Sequence, residues 1–373
     1  MPPDLGLAIF RYNSSDARLD YVKTVFQDIS VGAAYVDVRK NVFYCVHESM
    51  TLPGYNKGGG GQICAFAIDQ ESGDLVPLNR QPSHGSLPSY VVVDASGKYL
   101  LAANHTGHTP ITRSVRDAAG TYRVALEYDD ATTVMYRLNE DGSIGDACDV
   151  FKHEGKGGPL PLQTHSQLHS IERSPSGDVF VVCDKGSDEI SVFRIDRENA
   201  RLIQCEGSPH TAQPGSSPRY SAFHPTLPYL YVNHESAPLI SAFRYAEDGT
   251  LVPIQQLDLT PVAPGGGPKS MQSDIRIHPS GRYLYNLVRG INEVKVLEVD
   301  QASGEIKLVQ SALLGGDGPR GCTVSPDGRF LLVAALVSKE VMVWSIGDDG
   351  RISPTGQSAP QPYPGNITFF VQE

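Results

Sequence analysis

A chain of 373 residues that is 40% apolar and 20% charged is expected to fold, and a net charge of −11 argues against a footprint for nucleic-acid phosphates. No apolar run approaches the ~20 residues of a membrane-spanning helix, and residues 1–10 lack the basic start and long apolar stretch of a secretion signal. The six cysteines are scattered without a C-x-x-C pair, which predicts buried thiols in a reducing cytoplasm.

Taken in order, the chain repeats one pattern. Apolar runs ending in polar residues occur at V-F-Y-C-V-H-E (42–48), Y-L-L-A-A-N-H (99–105) and V-F-V-V-C-D-K (179–185). They recur at Y-L-Y-V-N-H-E (229–235), Y-L-Y-N-L-V-R (283–289) and F-L-L-V-A-A-L (330–336). Most follow a tight-turn sequence such as D-A-S-G-K, H-P-S-G-R or S-P-D-G-R, where Gly and Asp supply the geometry of a hairpin. A further strand-like run follows each, such as I-S-V-F-R-I or V-M-V-W-S-I, and then usually a second turn such as E-D-G-T-L. A repeated antiparallel meander of this size predicts propeller blades.

Six copies are complete, and a seventh is expected from the ends of the chain. P-G-N-I-T-F-F-V (364–371) matches a first strand, while L-A-I-F-R-Y and L-D-Y-V-K-T-V-F match a third and fourth. The fold expected is all-β, a single seven-bladed β-propeller domain over residues 1–373, closed by pairing N- and C-terminal strands in one blade. Closure removes an exposed sheet edge. Nothing before residue 5 can supply that blade's second strand.

Aligning the copies sets up two registers. The start of the first strand carries Gly32, Ser89, His169, Arg219, Ser273, Arg320 and Gly365, and the end of the second carries Glu48, His105, Lys185, Glu235, Arg289 and Leu336. Antiparallel neighbours bring these two positions to one face. In a propeller the first strand lines the central channel, so Glu48, His105, His169, Lys185, Arg219, Glu235, Arg289 and Arg320 are expected around one mouth. Insertions at 49–61, 106–130 and 154–167 share that face and read as a lid over a substrate pocket.

His169, Arg219, Glu235 and Arg289 come from three consecutive copies, with Asp274 alongside. Two guanidiniums suit a carboxylate or phosphate, and a His and a Glu suit acid–base chemistry. Such a set can also be an ion-pair clasp between blades. The shared register, absent from the opposite turns, favours function. A Glu between guanidiniums ionises easily, which suits a base more than an acid, so Glu235 is favoured as base with His169 as proton donor, and the opposite assignment stays open. Glu48, His105, Lys185, Asp274 and Arg320 are expected to bind substrate. No spacing resembles a metal cage, and K-G-G-G-G (57–61) lacks the Lys-Ser/Thr and helix of a phosphate loop.

With those residues in view, the sequence resembles the lactonase-type seven-bladed propellers, a group that includes bacterial 6-phosphogluconolactonases and the fungal carboxy-cis,cis-muconate cyclase. The resemblance rests on H-S-I-x-x-S-P-S-G (169–177), D-K-G-S-D-E-I-S-V-F (184–193), S-P-R-Y-S-A-F-H-P (217–225) and N-H-E (233–235). It continues in S-D-I-R-I-H-P-S-G-R-Y-L-Y (273–285), V-R-G (288–290) and G-P-R-G-C-T-V-S-P-D-G-R (318–329). It implies an active site of His169, Arg219, Glu235 and Arg289 without metal or other cofactor. Where the family usually has P-R-H this chain has Pro218-Arg219-Tyr220, a departure that bears on substrate.

The function expected is hydrolysis of a sugar-acid lactone, with a small anionic substrate (sugar-acid lactone or dicarboxylate) as the partner and neither nucleic acid nor membrane. A cycloisomerase acting on a muconate-type dicarboxylate is the alternative. A non-catalytic binding propeller is less consistent with an ionic mouth, because binding surfaces usually present apolar or aromatic anchors. The oligomeric state is left open.

Overall fold

The computed structural model describes residues 5–155, 157–177, 179–259 and 270–370. Among them are six sheets built on one plan, each a sequential antiparallel meander. Blade 1 comprises Val31–Asp37, Val42–His47, Gln62–Ile68 and Leu75–Pro82; blade 2 comprises Pro88–Val93, Tyr99–Asn104, Ala131–Leu138 and Ile144–His153. Blade 3 comprises Leu168–Arg173, Phe180–Asp184, Glu189–Asp196 and Arg201–Gln204, with the short His210–Thr211 added beside its third strand. Blade 4 is Pro218–Phe223, Tyr229–His234, Leu239–Tyr245 and Leu251–Asp258. Blade 5 is Met271–Ile277, Tyr283–Arg289, Glu293–Val299 and Ile306–Leu313, and blade 6 is Pro319–Val324, Phe330–Ala335, Glu340–Ile346 and Ile352–Pro360.

First strands of successive blades pack against one another from blade 1 to blade 6, which makes them the inner wall of a ring. Second strands such as Tyr99–Asn104 and Tyr229–His234 are buried on both faces, which explains their unbroken apolar runs. Fourth strands face outward and mix exposed and half-buried positions, as in Leu251–Asp258.

A repeated contact ties three blades to the ones that follow them. The hydroxyls of Tyr44, Tyr231 and Tyr285 donate to the carbonyls of Gly142, Gly304 and Gly350, in the third-to-fourth-strand turn of the following blade. Those glycines have φ of 84°, 79° and 74°. A Cβ on Gly350 would lie 2.3 Å from the Tyr283 ring, so the D-G turns serve both the hairpin and the seat of its neighbour. His224 and His278, at the opposite end from the predicted mouth, are turn residues as expected. His224 Nδ1 accepts from the amides of Thr226 and Leu227.

The closing region departs from expectation. Leu7–Asn13 and Arg18–Val25 do pair, but as a two-stranded hairpin, and residues 364–370 form no ladder with it. Residue 371 lies outside the described residues. What holds residues 364–370 is side-chain burial. Ile367 and Phe369 pack with Tyr12 and Leu19 against blade 6, while Phe370 packs with Leu7, Ile9 and Phe26 against blade 1. Pro362 and Pro364 lack the amide a ladder needs at the entry to this segment. The insertion 106–130 contributes a second hairpin, Ile111–Arg116 with Tyr122–Glu127.

Candidate active site

One local device aims the mouth residues. In every blade the pairing of first and second strands slips near the start of the first strand. The slips fall at Ser89, His169, Arg219 and Arg320, and at the two-residue stretches Gly32-Ala33 and Ser273-Asp274. A β-bulge re-aims the side chain it carries. The register found by alignment is therefore a row of bulges.

Three predicted cations converge on one predicted carboxylate, Glu235. Arg219 Nε donates to Glu235 Oε2 at 2.6 Å, Lys185 Nζ lies 3.3 Å from Oε1, and Arg289 Nη2 lies 3.5 Å from Oε2. Arg219 is only 1% exposed and also donates through Nη1 to the Ser273 carbonyl, so its fork is fixed at both ends. His169 is buried beside this cluster. Its ring meets His105 edge-on at 5.7 Å and rests on Tyr220 at 5.2 Å, and Tyr220 also carries the Arg219 guanidinium at 4.8 Å.

The electrostatics separate the two candidate proton carriers. Burial opposes ionisation of Glu235, but Arg219, Lys185 and Arg289 outweigh it and lower the carboxyl to about 2. Burial, then Arg219, Lys185 and other cations including Arg320, hold His169 well below 6.5, so it is neutral at pH 7. Burial and the neighbouring Arg219 also lower Arg289 to about 10. His169 Nδ1 and Arg289 Nε are buried without a hydrogen-bond partner among the described residues. Buried polar atoms are ordinarily paired, so these two are the unsatisfied groups of the cluster.

Not every predicted residue joins the cluster. Arg320 acts electrostatically on His169 and Arg289 and makes no ion pair among the described residues. His105 is buried between His169 and His108. Glu48 stands apart on blade 1, its Oε2 2.6 Å from where a Cβ of Gly32 would be, so glycine is what admits the carboxylate to that wall. Asp274, expected to bind substrate, is turned inward: it accepts from the Cys322 amide at 2.9 Å and pairs with Arg276 Nε at 3.2 Å. The two-residue bulge in blade 5 accounts for its placement.

Sequence reasoning missed a second layer on the same inner strands. Tyr90 of blade 2 donates to Glu172 of blade 3, and Arg276 Nη1 of blade 5 lies 3.2 Å from the Tyr90 hydroxyl and 3.5 Å from Glu172. Blades 2 and 5 are not neighbours, so these contacts cross the channel and bar it beneath the mouth. The signal was present as charged letters inside inner strands, in H-S-I-E-R and S-D-I-R-I. Also missed was the clasp between insertions. Tyr128 stacks on His165 at 3.8 Å, Thr106 Oγ1 meets His165 Nε2 at 2.6 Å, and Ser86 donates to Asp129 at 2.6 Å.

Burial holds further histidines neutral: His105 and His153 are lowered to about 3 and His234 to about 4. A histidine with its folded pKa below its unfolded value binds fewer protons when folded. Its contribution to stability is complete above about pH 6.5 and is lost as pH falls below that. Burial raises Glu172, Asp184 and Glu189, which opposes the trend at the acid end, while the cations around Glu235 lower its carboxyl and reinforce it. The melting temperature should be level near neutrality and fall steadily as pH drops from about 6.5 toward 4. A calorimetric profile flat across that window would contradict this.

Comparison with known proteins bears on the identity. The family profile described as lactonase, seven-bladed beta-propeller, matches residues 4–369. The chain belongs to this lactonase family. Among its relatives is the 6-phosphogluconolactonase of Bacillus subtilis, 26% identical over 342 residues, covering 91% of this chain and 87% of that one. The 6-phosphogluconolactonase of Formosa agariphila is 26% identical over 348 residues, covering 92% and 88%. In fold the lactonase chain is similar to the periplasmic gluconolactonase of Pseudomonas aeruginosa, with a TM-score of 0.83, 23% identity and coverage of 99% and 96%.

Proposed function

We propose that this protein hydrolyses the lactone of an anionic sugar acid, as its relatives named 6-phosphogluconolactonase do by name. The observation that carries the reading is a neutral, partner-seeking imidazole, His169, beside a fixed set of cations. His169 takes a proton from water as the water oxygen bonds to the lactone carbonyl carbon. Charge on the carbonyl oxygen is met by Arg289 and Arg320. The ring C–O bond then breaks, and the imidazolium returns its proton to the leaving oxygen. Glu235 is too acidic to accept that proton at neutral pH. It acts as the counter-ion that holds Arg219, Lys185 and Arg289 in place. Of the two assignments left open by the sequence, this takes His169 as the base, against the one favoured there. In this reading the cations supply the charge stabilisation and no metal ion takes part.

The same reading takes the chain as one ring, in which Leu7–Asn13, Arg18–Val25 and residues 364–370 make a seventh blade. It is supported by the packing of Ile367 and Phe369 on blade 6 and of Phe370 on blade 1. A cytoplasmic location is supported by the free thiols of Cys45 and Cys64, which face one another on neighbouring strands of blade 1. No helix among the described residues is long and apolar enough to cross a membrane.

The test is acid release from 6-phosphogluconolactone, gluconolactone and a muconate-derived lactone, each with and without chelator. We expect turnover of a sugar-acid lactone, indifferent to chelation. Turnover of the muconate lactone alone would replace hydrolysis of sugar lactones with the cycloisomerase reading. Activity lost on chelation and restored by a divalent ion would refute the metal-free route.

A further inference from the structure

The hairpin Ile111–Arg116 with Tyr122–Glu127 is unlike the other sheets among the described residues. The outer pairings of blades 1, 2, 4, 5 and 6 each contain a register slip, and blade 3 ends in a fourth strand of only four residues. Pro77, Pro253 and Pro354 interrupt three of those outer strands, and the N-terminal hairpin is bulged as well. Bulges, prolines and short strands are how proteins keep an edge from pairing with another chain. The 111–127 hairpin has none of them. Its six pairs run without a slip, and neither strand pairs elsewhere among the described residues. Tyr122, Val124 and Leu126 share one face and are 72%, 73% and 61% exposed.

We infer that this protein self-associates by antiparallel pairing of Tyr122–Glu127 with the same strand of a second copy. The pairing is self-complementary, as a two-fold contact requires. Centred on Ala125, it sets Arg123 opposite Glu127 of the second copy twice over, and Val124 opposite Leu126 of the second copy. Arg123 and Glu127 lie on one face of the hairpin, where Asp117 and Arg113 already steady them. The other strand offers nothing comparable, since pairing centred on Arg113 opposes that residue to itself. The hairpin carries three arginines against two carboxylates in a chain of net charge −11, so the two acidic molecules meet at a locally basic place. One strand per copy covers less than the ~800 Å² per partner of a standard interface, so the dimer is weak and concentration-dependent.

Sedimentation velocity of the full chain over a concentration series up to tens of micromolar tests this, with far-UV dichroism and melting as controls for folding. The wild type should shift from monomer to dimer. Arg123→Glu, which sets like charges opposite each other, should weaken association about tenfold. Val124→Lys should do the same, and exchanging all four charges (Arg113→Glu, Asp117→Arg, Arg123→Glu and Glu127→Arg), which keeps the pairs within the hairpin, should restore pairing. A wild type that stays monomeric overturns the inference. So does a dimer indifferent to both single changes, or one that the charge exchange fails to recover.

Discussion

Asparagine in place of His169 should lower kcat on a sugar-acid lactone by ~10²–10⁴, the usual share of general acid–base catalysis, with little change in KM. The imidazole is buried, neutral and in contact with Tyr220 and His105, while its Nδ1 has no partner among the described residues. Asparagine keeps a polar group at the bulge but cannot carry the proton from water to the leaving oxygen. The fold should survive, because the bulge is set by backbone pairing. The acid limb of the kcat/KM profile in the wild type should lie below pH 6.5, since the base must be unprotonated and its pKa is lowered. Full activity in His169→Asn would remove the imidazole from the mechanism.

Glu235→Gln should lose activity for a different reason, and lose stability with it. The carboxylate is the shared counter-ion of Arg219, Lys185 and Arg289, all largely buried. Neutralising it leaves three cations facing one another. Removing one partner of a buried ion pair typically costs about 3–5 kcal/mol. Glutamine retains shape and hydrogen bonding, so we expect the lower part of that range, read as a lower urea midpoint. The uncompensated cations should bind an anion instead, so inorganic phosphate should stabilise Glu235→Gln more than the wild type. If the variant melts normally and is silent only in kcat, Glu235 is the base after all and His169 is not.

How far the sequence could be read follows from what each feature depends on. The six blades were legible because a meander needs the same turn letters each time, as in H-P-S-G-R and S-P-D-G-R, and because second strands buried on both faces read as near-continuous apolar runs. The mouth was legible because the bulges recur in register. The bulges themselves were not, since a slip in pairing leaves no letter behind, and Asp274 was misplaced for that reason. The role of Glu235 was half legible: the two arginines and Lys185 could be placed at the same mouth, but not the contact of Lys185 with the other carboxylate oxygen, nor the depth of burial that makes the cluster a unit. The closing segment matched a strand by composition, yet Ile367, Phe369 and Phe370 are held by side chains alone.

The bar formed by Tyr90, Glu172 and Arg276 turns a ring into a cup. Reactant and product both pass the mouth, and the traffic through it is asymmetric. A lactone enters carrying at most the charge of its own substituents; the opened acid departs with one carboxylate more. It must leave past the arginines that drew the substrate in. Release of that anion past Arg219 and Arg289 is then a step of the cycle in its own right, beside the breaking of the bond.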